Sequence, residues 1–204
     1  MGSPCKAIIF DLGKVIFDIS FDLVFDFWAE RSGTNSIDLK NRFLFYVATD
    51  DFERGDISVE EFRAKVKHRL NMSLEDIQFD KGWNNLYLDV YPGIDELLQD
   101  LQKDYKVVAL SNTNLIHKWD WAIRYKETLK YFEKVFSSHE IRSRKPEEKA
   151  FRTVLEYLDV KPTEAIFLDD NLENISGARS LGIETIHVTS PDLLRDELLF
   201  KLGL

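Results

Sequence analysis

Four apolar runs in this chain each deliver a polar or charged side chain of a type that can do chemistry. Ala7-Ile8-Ile9-Phe10 ends in Asp11, with Gly13 two residues later. Val107-Val108-Ala109-Leu110 runs into Ser111-Asn112, Val135-Phe136 leads toward Lys145-Pro146, and Ala165-Ile166-Phe167-Leu168 runs into Asp169-Asp170. A carboxylate just past a buried strand can be a nucleophile, a metal ligand or both. Ser111 and Asn112 offer hydroxyl, amide and backbone donors to an anionic oxygen. Lys145 is expected to be a mobile cation, with Pro146 free to start a helix after it. Asp169 and Asp170 bring the acids to three with Asp11, and clustered carboxylates repel in a low-dielectric cleft unless a cation sits among them. An oxygen-only set with few protein ligands suits Mg²⁺, which keeps waters and takes part of its shell from phosphate. The set therefore reads as a phosphate site. The metal and Lys145 would neutralise the anion, while Asp11 attacks phosphorus to give an aspartyl-phosphate that water hydrolyses.

The elements that must hold these groups follow from periodicity. From Lys106 onward, short β-branched runs alternate with helical patterns, as in βαβ units around a parallel sheet, and residues 183–188 form a last apolar run. Ala150, Phe151, Val154, Leu155 and Leu158 fall at helical spacing. Residues 174–181 read as another helix, stopped by Gly182. Residues 17–88 differ, because helical stripes recur there without a convincing strand. Phe21, Val24, Phe25 and Trp28 make one stripe, Phe43, Leu44 and Val47 a second, and Val59, Phe62, Val66 and Leu70 a third. Ser58-Val59-Glu60-Glu61 fits a capping box, and Ser73 can cap a short fourth helix. The expected architecture is a doubly wound, Rossmann-like α/β core of residues 1–16 and 89–204, with an all-α unit of residues 17–88 inserted after the first strand. Linkers are expected near residues 16–20 and 88–93. In open α/β sheets, ligands bind beyond the carboxyl ends of the strands, where all these polar groups would gather.

Bulk properties narrow the function. The chain has 204 residues, 44% hydrophobic and 31% charged, which is ordinary for a soluble globular protein. A net charge of −9 argues against nucleic acid or anionic membrane surfaces as partners. It leaves room for a small phosphorylated metabolite in a locally positive pocket. The lone cysteine, Cys5, excludes an internal disulfide and reads as a small buried hydrophobe. With no apolar stretch of about 20 residues and no signal-peptide pattern, a cytoplasmic monomer or homodimer is expected.

Taken in order, Asp11, Ser111, Lys145 and Asp169-Asp170 resemble the four motifs of the haloacid dehalogenase (HAD) superfamily: a nucleophilic Asp, a Ser or Thr, a Lys, and acidic metal ligands. The likeness spans the whole chain, since the helical insertion matches that superfamily's C1-type cap. Phe10-Asp11-Leu12-Gly13-Lys14-Val15-Ile16, Leu110-Ser111-Asn112-Thr113-Asn114, Arg144-Lys145-Pro146, Asp169-Asp170-Asn171 and the cap stretch Phe52-Glu53-Arg54-Gly55-Asp56-Ile57-Ser58 are most similar to the bacterial α-D-glucose-1-phosphate phosphatases. The phosphatase-like domain of soluble epoxide hydrolase is a more distant likeness. The resemblance implies a Mg²⁺-dependent phosphomonoester hydrolase acting on a small sugar phosphate such as glucose 1-phosphate. Asp11 and Lys145 would be catalytic, and Ser111, Asn112 and Lys145 would bind phosphate. Asp11, the Gly13 carbonyl and Asp170 would hold the metal, with Asp169 holding a metal-bound water.

Phosphatases of this superfamily usually carry a second Asp two residues after the nucleophile, where this chain has Gly13. That Asp protonates the leaving oxygen and then activates water, a contribution of roughly 10²–10⁴ in rate. Its absence predicts a slow enzyme or a substitute acid, for which Asp18 is the candidate. Two alternatives stay open. A 2-haloacid dehalogenase also lacks the second Asp and needs no metal, though Asp169-Asp170 would then be an unpaired negative pair beside an anionic substrate. A catalytically silent domain would bind a phosphorylated ligand or a protein. Trp119 and Trp121 are expected to wall the pocket or pack elsewhere, and Glu53 and Arg54 to face substrate or solvent. Arg142 and Arg144 read as surface charges, Asn174 as a helix start, and His117, His139 and His187 as structural or exposed.

Overall fold

The computed structural model describes residues 5–43 and 48–204; Leu44 and Val47 of the second helical stripe lie outside them. In chain order the first elements are β1 (Ala7–Phe10), β2 (Phe17–Ile19), α1 (Phe21–Ser32), α2 (Ser36–Phe43), α3 (Ala48–Glu53), α4 (Val59–Leu70), α5 (Asp76–Asn84) and β3 (Tyr87–Val90). There follow α6 (Ile94–Leu101), β4 (Lys106–Ser111), α7 (Leu115–Arg124), α8 (Lys126–Leu129), β5 (Lys134–Ser137), α9 (Ser138–Ile141) and α10 (Glu148–Leu158). Last come β6 (Ala165–Asp169), α11 (Leu172–Ser180), β7 (Glu184–His187) and α12 (Leu194–Leu202).

Strands β5-β4-β1-β6-β7 form one parallel sheet in that spatial order. All four residues of β1 are buried, because the strand is covered on both faces; this is why it reads as an unbroken apolar run. Ile8 and Phe10 pack with Leu97 and Leu98 of α6 and with Leu194 and Leu198 of α12. Ala7 and Ile9 point the other way, into Phe151 and Val154 of α10 and Ile175 and Ala178 of α11. The chain winds outward from β1 through β4 to β5, then returns to β6 on the other side of β1. This reversal opens a crevice at the carboxyl ends of β1, β4 and β6.

The expected linkers are structured. β2 and β3 pair antiparallel, with Phe17 opposite Val90 and Ile19 opposite Tyr87. Between them run α1 to α5, held together by rings: Trp28 stacks on Phe79 (centroids 4.8 Å) and on Trp83 (5.8 Å), and Phe52 stacks on Phe62 (4.2 Å). The capping box at Ser58 is present in full, with Ser58 and Glu61 each accepting the other's backbone N–H. Ser73 caps nothing. Met72 is buried and the Leu74 carbonyl accepts the Lys67 ammonium at 3.1 Å, so α5 starts later, at Asp76. α11 likewise starts at Leu172, where the Asn171 side chain accepts from Glu173 N, so Asn174 is not its first residue. Among the described residues, no helix is long and apolar enough to cross a membrane.

Candidate active site

Asp11 sits immediately beyond β1, where its N–H extends the pairing with β6 by donating to the Leu168 carbonyl (2.8 Å). The Lys145 ammonium lies 2.8 Å from Asp11 Oδ1 and 2.6 Å from Asp169 Oδ2, with the side chain 1% exposed. Lys145 is therefore not the mobile cation expected from its basic neighbourhood but one of the largest fully buried side chains in the protein. Its backbone is strapped down as well. Asn112 Oδ1 accepts the Lys145 N–H (2.8 Å), Asn112 Nδ2 donates to the Lys145 carbonyl (2.9 Å), and the Lys145-Pro146 peptide is cis. The Asn112 side chain thus positions Lys145, and its backbone is what remains for a ligand. The loop carrying Asn112 is fixed twice more. Ser138 Oγ accepts from Thr113 N and donates to Thr113 O, both at 2.8 Å, while Asn114 caps α7 by accepting from His117 N.

The two acids after β6 divide their work. Asp169 is fully buried and surrounded by donors: Lys145, the Asn171 N–H (2.8 Å), and Asn174 Nδ2 at 3.1 Å from each oxygen. Asn174 is therefore a support for Asp169. Asp170 is more open, with Lys14 Nζ at 3.7 Å from its carboxylate and His187 Nε2 at 3.0 Å from its backbone carbonyl. Asp11, Asp169 and Asp170 each present a carboxylate oxygen within 4.8 Å of the others. Burial pushes the Asp11 carboxyl up to about 7, against the pull of Lys145 and with the added repulsion of Asp169. Burial also raises Asp170, with Asp169 adding to it. Burial opposes the Lys145 charge, but Asp11 and Asp169 outweigh it and hold the ammonium above its ordinary range. Three acids against one buried cation leave excess negative charge. The donor set, all oxygen and partly open, fits a hard divalent cation such as Mg²⁺.

A cavity of about 150 Å³ opens above this cluster. Asp11, Gly13, Ser111, Asn112 and Asp170 line it on the sheet side, so the sequence-derived site residues converge, with Lys145 and Asp169 buried beneath. Its far wall comes from the helical segment and the β2–β3 ribbon: Phe17, Ile19, Phe21, Thr49, Glu53, Trp83, Leu86 and Tyr87. Two larger grooves, of about 510 and 620 Å³, lie at the opposite, amino-terminal edge of the sheet around Lys161 and Glu184 and hold none of these groups.

Period-two alternation in β2 sends Phe17 and Ile19 to the cavity and keeps Asp18 off its wall. Asp18 instead accepts a hydrogen bond from the Tyr91 hydroxyl at 3.0 Å, so it is not the substitute acid. Nor is position 13 open: a Cβ added to Gly13 would stand 3.0 Å from Ile19 Cδ1. Glu53 does face the cavity, and burial raises its carboxyl against the pull of Arg144. Arg54 turns away to Glu147 (2.7 Å). Arg144 is not a free surface charge, since it binds Glu53 (2.9 Å) and Asp50 (3.2 Å); Arg142 pairs with Asp56 (3.2 Å). These pairs tie α3 and the turn after it to the loop that carries Lys145. Gly55, at φ +69°, lets the backbones approach there, since a Cβ would lie 2.5 Å from the His139 carbonyl oxygen.

Trp121 is buried against the cavity, whereas Trp119 is 57% exposed. Sequence reasoning missed Lys14, Trp83, Tyr87 and His117. His117 lines the cavity and stacks on Trp83 at 4.7 Å. Its one sequence signal was its place in the first turn of the helix that Asn114 caps, directly after Ser111-Asn112.

The comparisons agree with this geometry. Residues 5–182 match the haloacid dehalogenase-like hydrolase family. The chain is 26% identical to a D-ribitol-5-phosphate phosphatase of Bacteroides thetaiotaomicron, covering 95% of this chain and 96% of the relative. It is 34% identical to a glyceraldehyde 3-phosphate phosphatase of Pyrococcus furiosus, covering 89% and 79%. A HAD family enzyme of B. thetaiotaomicron, crystallised with magnesium and inorganic phosphate, superposes with a TM-score of 0.78 at 29% identity, covering 89% of this chain and 93% of that one. Motif order, a parallel sheet with its switch at β1 and a family match over most of the chain lead to one conclusion: the protein belongs to the haloacid dehalogenase-like hydrolases.

Proposed function

We propose that the protein is a Mg²⁺-dependent phosphomonoester hydrolase that acts through an aspartyl-phosphate on Asp11, with a small sugar or polyol phosphate as substrate. The carrying observation is the cluster of Asp11, Asp169 and Asp170 within 4.8 Å around buried Lys145. A dehalogenase would hold three mutually repelling acids beside an anionic substrate with no reason for the third. Asp11, the Gly13 carbonyl and Asp170 would hold the metal; Asp169, whose oxygens already accept from Lys145, Asn171 and Asn174, orients Lys145 and would reach the metal through a bound water. The cation supplies positive charge that keeps Asp11 ionised and offsets the charge on the phosphoryl oxygens.

Asp11 attacks phosphorus in line, forming the Asp11 O–P bond as the ester P–O bond breaks. Lys145 stabilises the oxygens of the group in transfer, and the Ser111 hydroxyl and the Asn112 backbone orient them. The leaving oxygen takes its proton from water or from Glu53, because position 13 carries no acid. Water then cleaves the acyl-phosphate, returning Asp11 and releasing inorganic phosphate. Residues 17–88 act as a cap over residues 1–16 and 89–204. Its pairs from Glu53, Asp50 and Arg54 to the Lys145 loop close the site against bulk water.

The test is phosphate release from sugar phosphates, polyol phosphates, nucleotides and 2-haloacids, with Mg²⁺ and with EDTA. Release from a sugar or polyol phosphate that EDTA abolishes is expected; halide release without metal would overturn the reading. Glucose 1-phosphate belongs in the panel because its good anomeric leaving group tolerates a missing acid. Position 13 makes a second prediction. Gly13→Asp alone is expected to gain little, since its Cβ meets Ile19. Together with Ile19→Val, which removes Cδ1, it is expected to raise kcat on the order of tenfold or more. No gain in the double variant would mean that leaving-group protonation does not limit turnover.

A further inference from the structure

Where the cap meets the core, above the carboxylate cluster, three aromatic rings form a stack: Trp28 on Trp83 (5.8 Å, 10°) and Trp83 on His117 (4.7 Å, 18°). Tyr87 abuts His117 edge-on at 5.2 Å, so the imidazole is held on two sides. His117 Nδ1 lies 2.9 Å from Asn84 Oδ1, while Asn84 Nδ2 faces the Ile116 carbonyl at 3.4 Å. An amide oxygen only accepts, so Nδ1 carries the proton and Nε2 carries a lone pair. Nε2 has no protein partner among the described residues, on a ring that lines the cavity. Its stacking partner Trp83 also lines the cavity, but the indole Nε1 is fully buried, so the wall it offers there is apolar. Burial holds the imidazole down to about 3, so the ring is neutral throughout the working range and cannot serve as an acid. An acceptor at the wall of a cavity is matched by a group that donates, which is what an alcohol hydroxyl does.

We propose that His117 is a specificity residue whose Nε2 accepts a hydrogen bond from a hydroxyl on the substrate's leaving group. The inference rests on the phosphomonoesterase reading and names the residue that would recognise the hydroxyls of its sugar or polyol phosphate. Asn84 is the positioning residue that sets the tautomer from the cap side, so the acceptor is presented only when cap and core are together.

The first test is the ¹⁵N spectrum of the His117 imidazole in the free protein. A neutral Nδ1–H tautomer is expected from pH 5 to pH 8, with the Nε2 signal moving on addition of ribitol. Asn84→Ala is expected to populate the other tautomer. The second compares ribitol 5-phosphate with n-pentyl phosphate, which has the same chain length without hydroxyls. His117→Phe keeps a stacking ring and removes the acceptor. It is expected to lose about tenfold more kcat/KM on ribitol 5-phosphate than on pentyl phosphate, mainly through KM. An Nε2–H tautomer, an Nε2 signal indifferent to ribitol, or equal losses on both esters would overturn the inference. If the wild type releases phosphate from no phosphate ester of the panel, the hydrolase reading falls, and the ribitol titration still decides whether His117 binds a hydroxyl.

Discussion

Asp11→Asn is expected to lower Mg²⁺-dependent phosphate release by roughly four to six orders of magnitude, the scale on which removing a covalent nucleophile acts. The amide keeps the shape of the side chain but cannot attack phosphorus, so the loss falls on chemistry and not on folding. Stability supplies the control. The folded Asp11 carboxyl sits at about 7, above its ordinary value of 3.8. A group raised in this way contributes stability below its unfolded pKa and loses that contribution as pH rises through 7. Without metal, the ionised carboxylate therefore costs stability at pH 8, and the asparagine variant is expected to melt no lower than the wild type there. Activity that survives the substitution would remove Asp11 from the nucleophile role. A sharp fall in melting temperature would mean that the carboxylate is structural.

Lys145→Met is expected to cost about 3–5 kcal/mol of unfolding free energy in EDTA, because it leaves buried charge uncompensated. Asp169 is fully buried, Asp11 is 13% exposed, and the Lys145 ammonium touches both. The methylene stem is roughly matched by methionine, so a cavity contributes little. Without the cation, the Asp11 carboxyl, already raised by burial, loses the pull of Lys145 that lowers it. Its contribution is present at acid pH and lost as pH rises above the unfolded value near 4, so the deficit should widen from pH 4 to pH 7. Denaturant titration at the two pH values measures this, and millimolar Mg²⁺ should recover part of it by binding only the folded cluster. Turnover with saturating Mg²⁺ is expected to stay at least roughly a hundredfold below wild type, since a fixed positive partner of the phosphoryl oxygens is gone. Wild-type stability in EDTA would show that Lys145 does not neutralise the cluster.

Some of this was readable one residue at a time. β1, β4 and β6 appear as apolar runs because burial on both faces leaves no polar alternation to blur them. The Ser58 box is legible because a helix start is local, needing only a hydroxyl and a carboxylate three residues apart. Residues whose partners lie far along the chain were not legible. Arg144 read as a solvated charge because Glu53 and Asp50 come from the helical segment, some 90 positions away. Asp18 read as a possible acid because which face of a strand is inward depends on the register of β2 against β3, set by residues 87–90. His117 read as bland because its meaning depends on Asn84 and Trp83, which reach it across the cleft.

By itself, the sequence determined the kind of chemistry available. Strand-end placement of Asp11, Ser111, Lys145 and Asp169-Asp170 follows from local hydrophobic patterning, and their order along the chain limits what a parallel sheet can gather at one edge. Only the tertiary structure decided how those groups are used. It buried Lys145 between two carboxylates, filled the space beside Gly13 with Ile19, and turned Asp18 away. It also set His117 within hydrogen-bonding distance of Asn84 and in a stack with Trp83. Each of these depends on distance through space and on exclusion of water, and neither quantity is a property of a residue's neighbours in sequence.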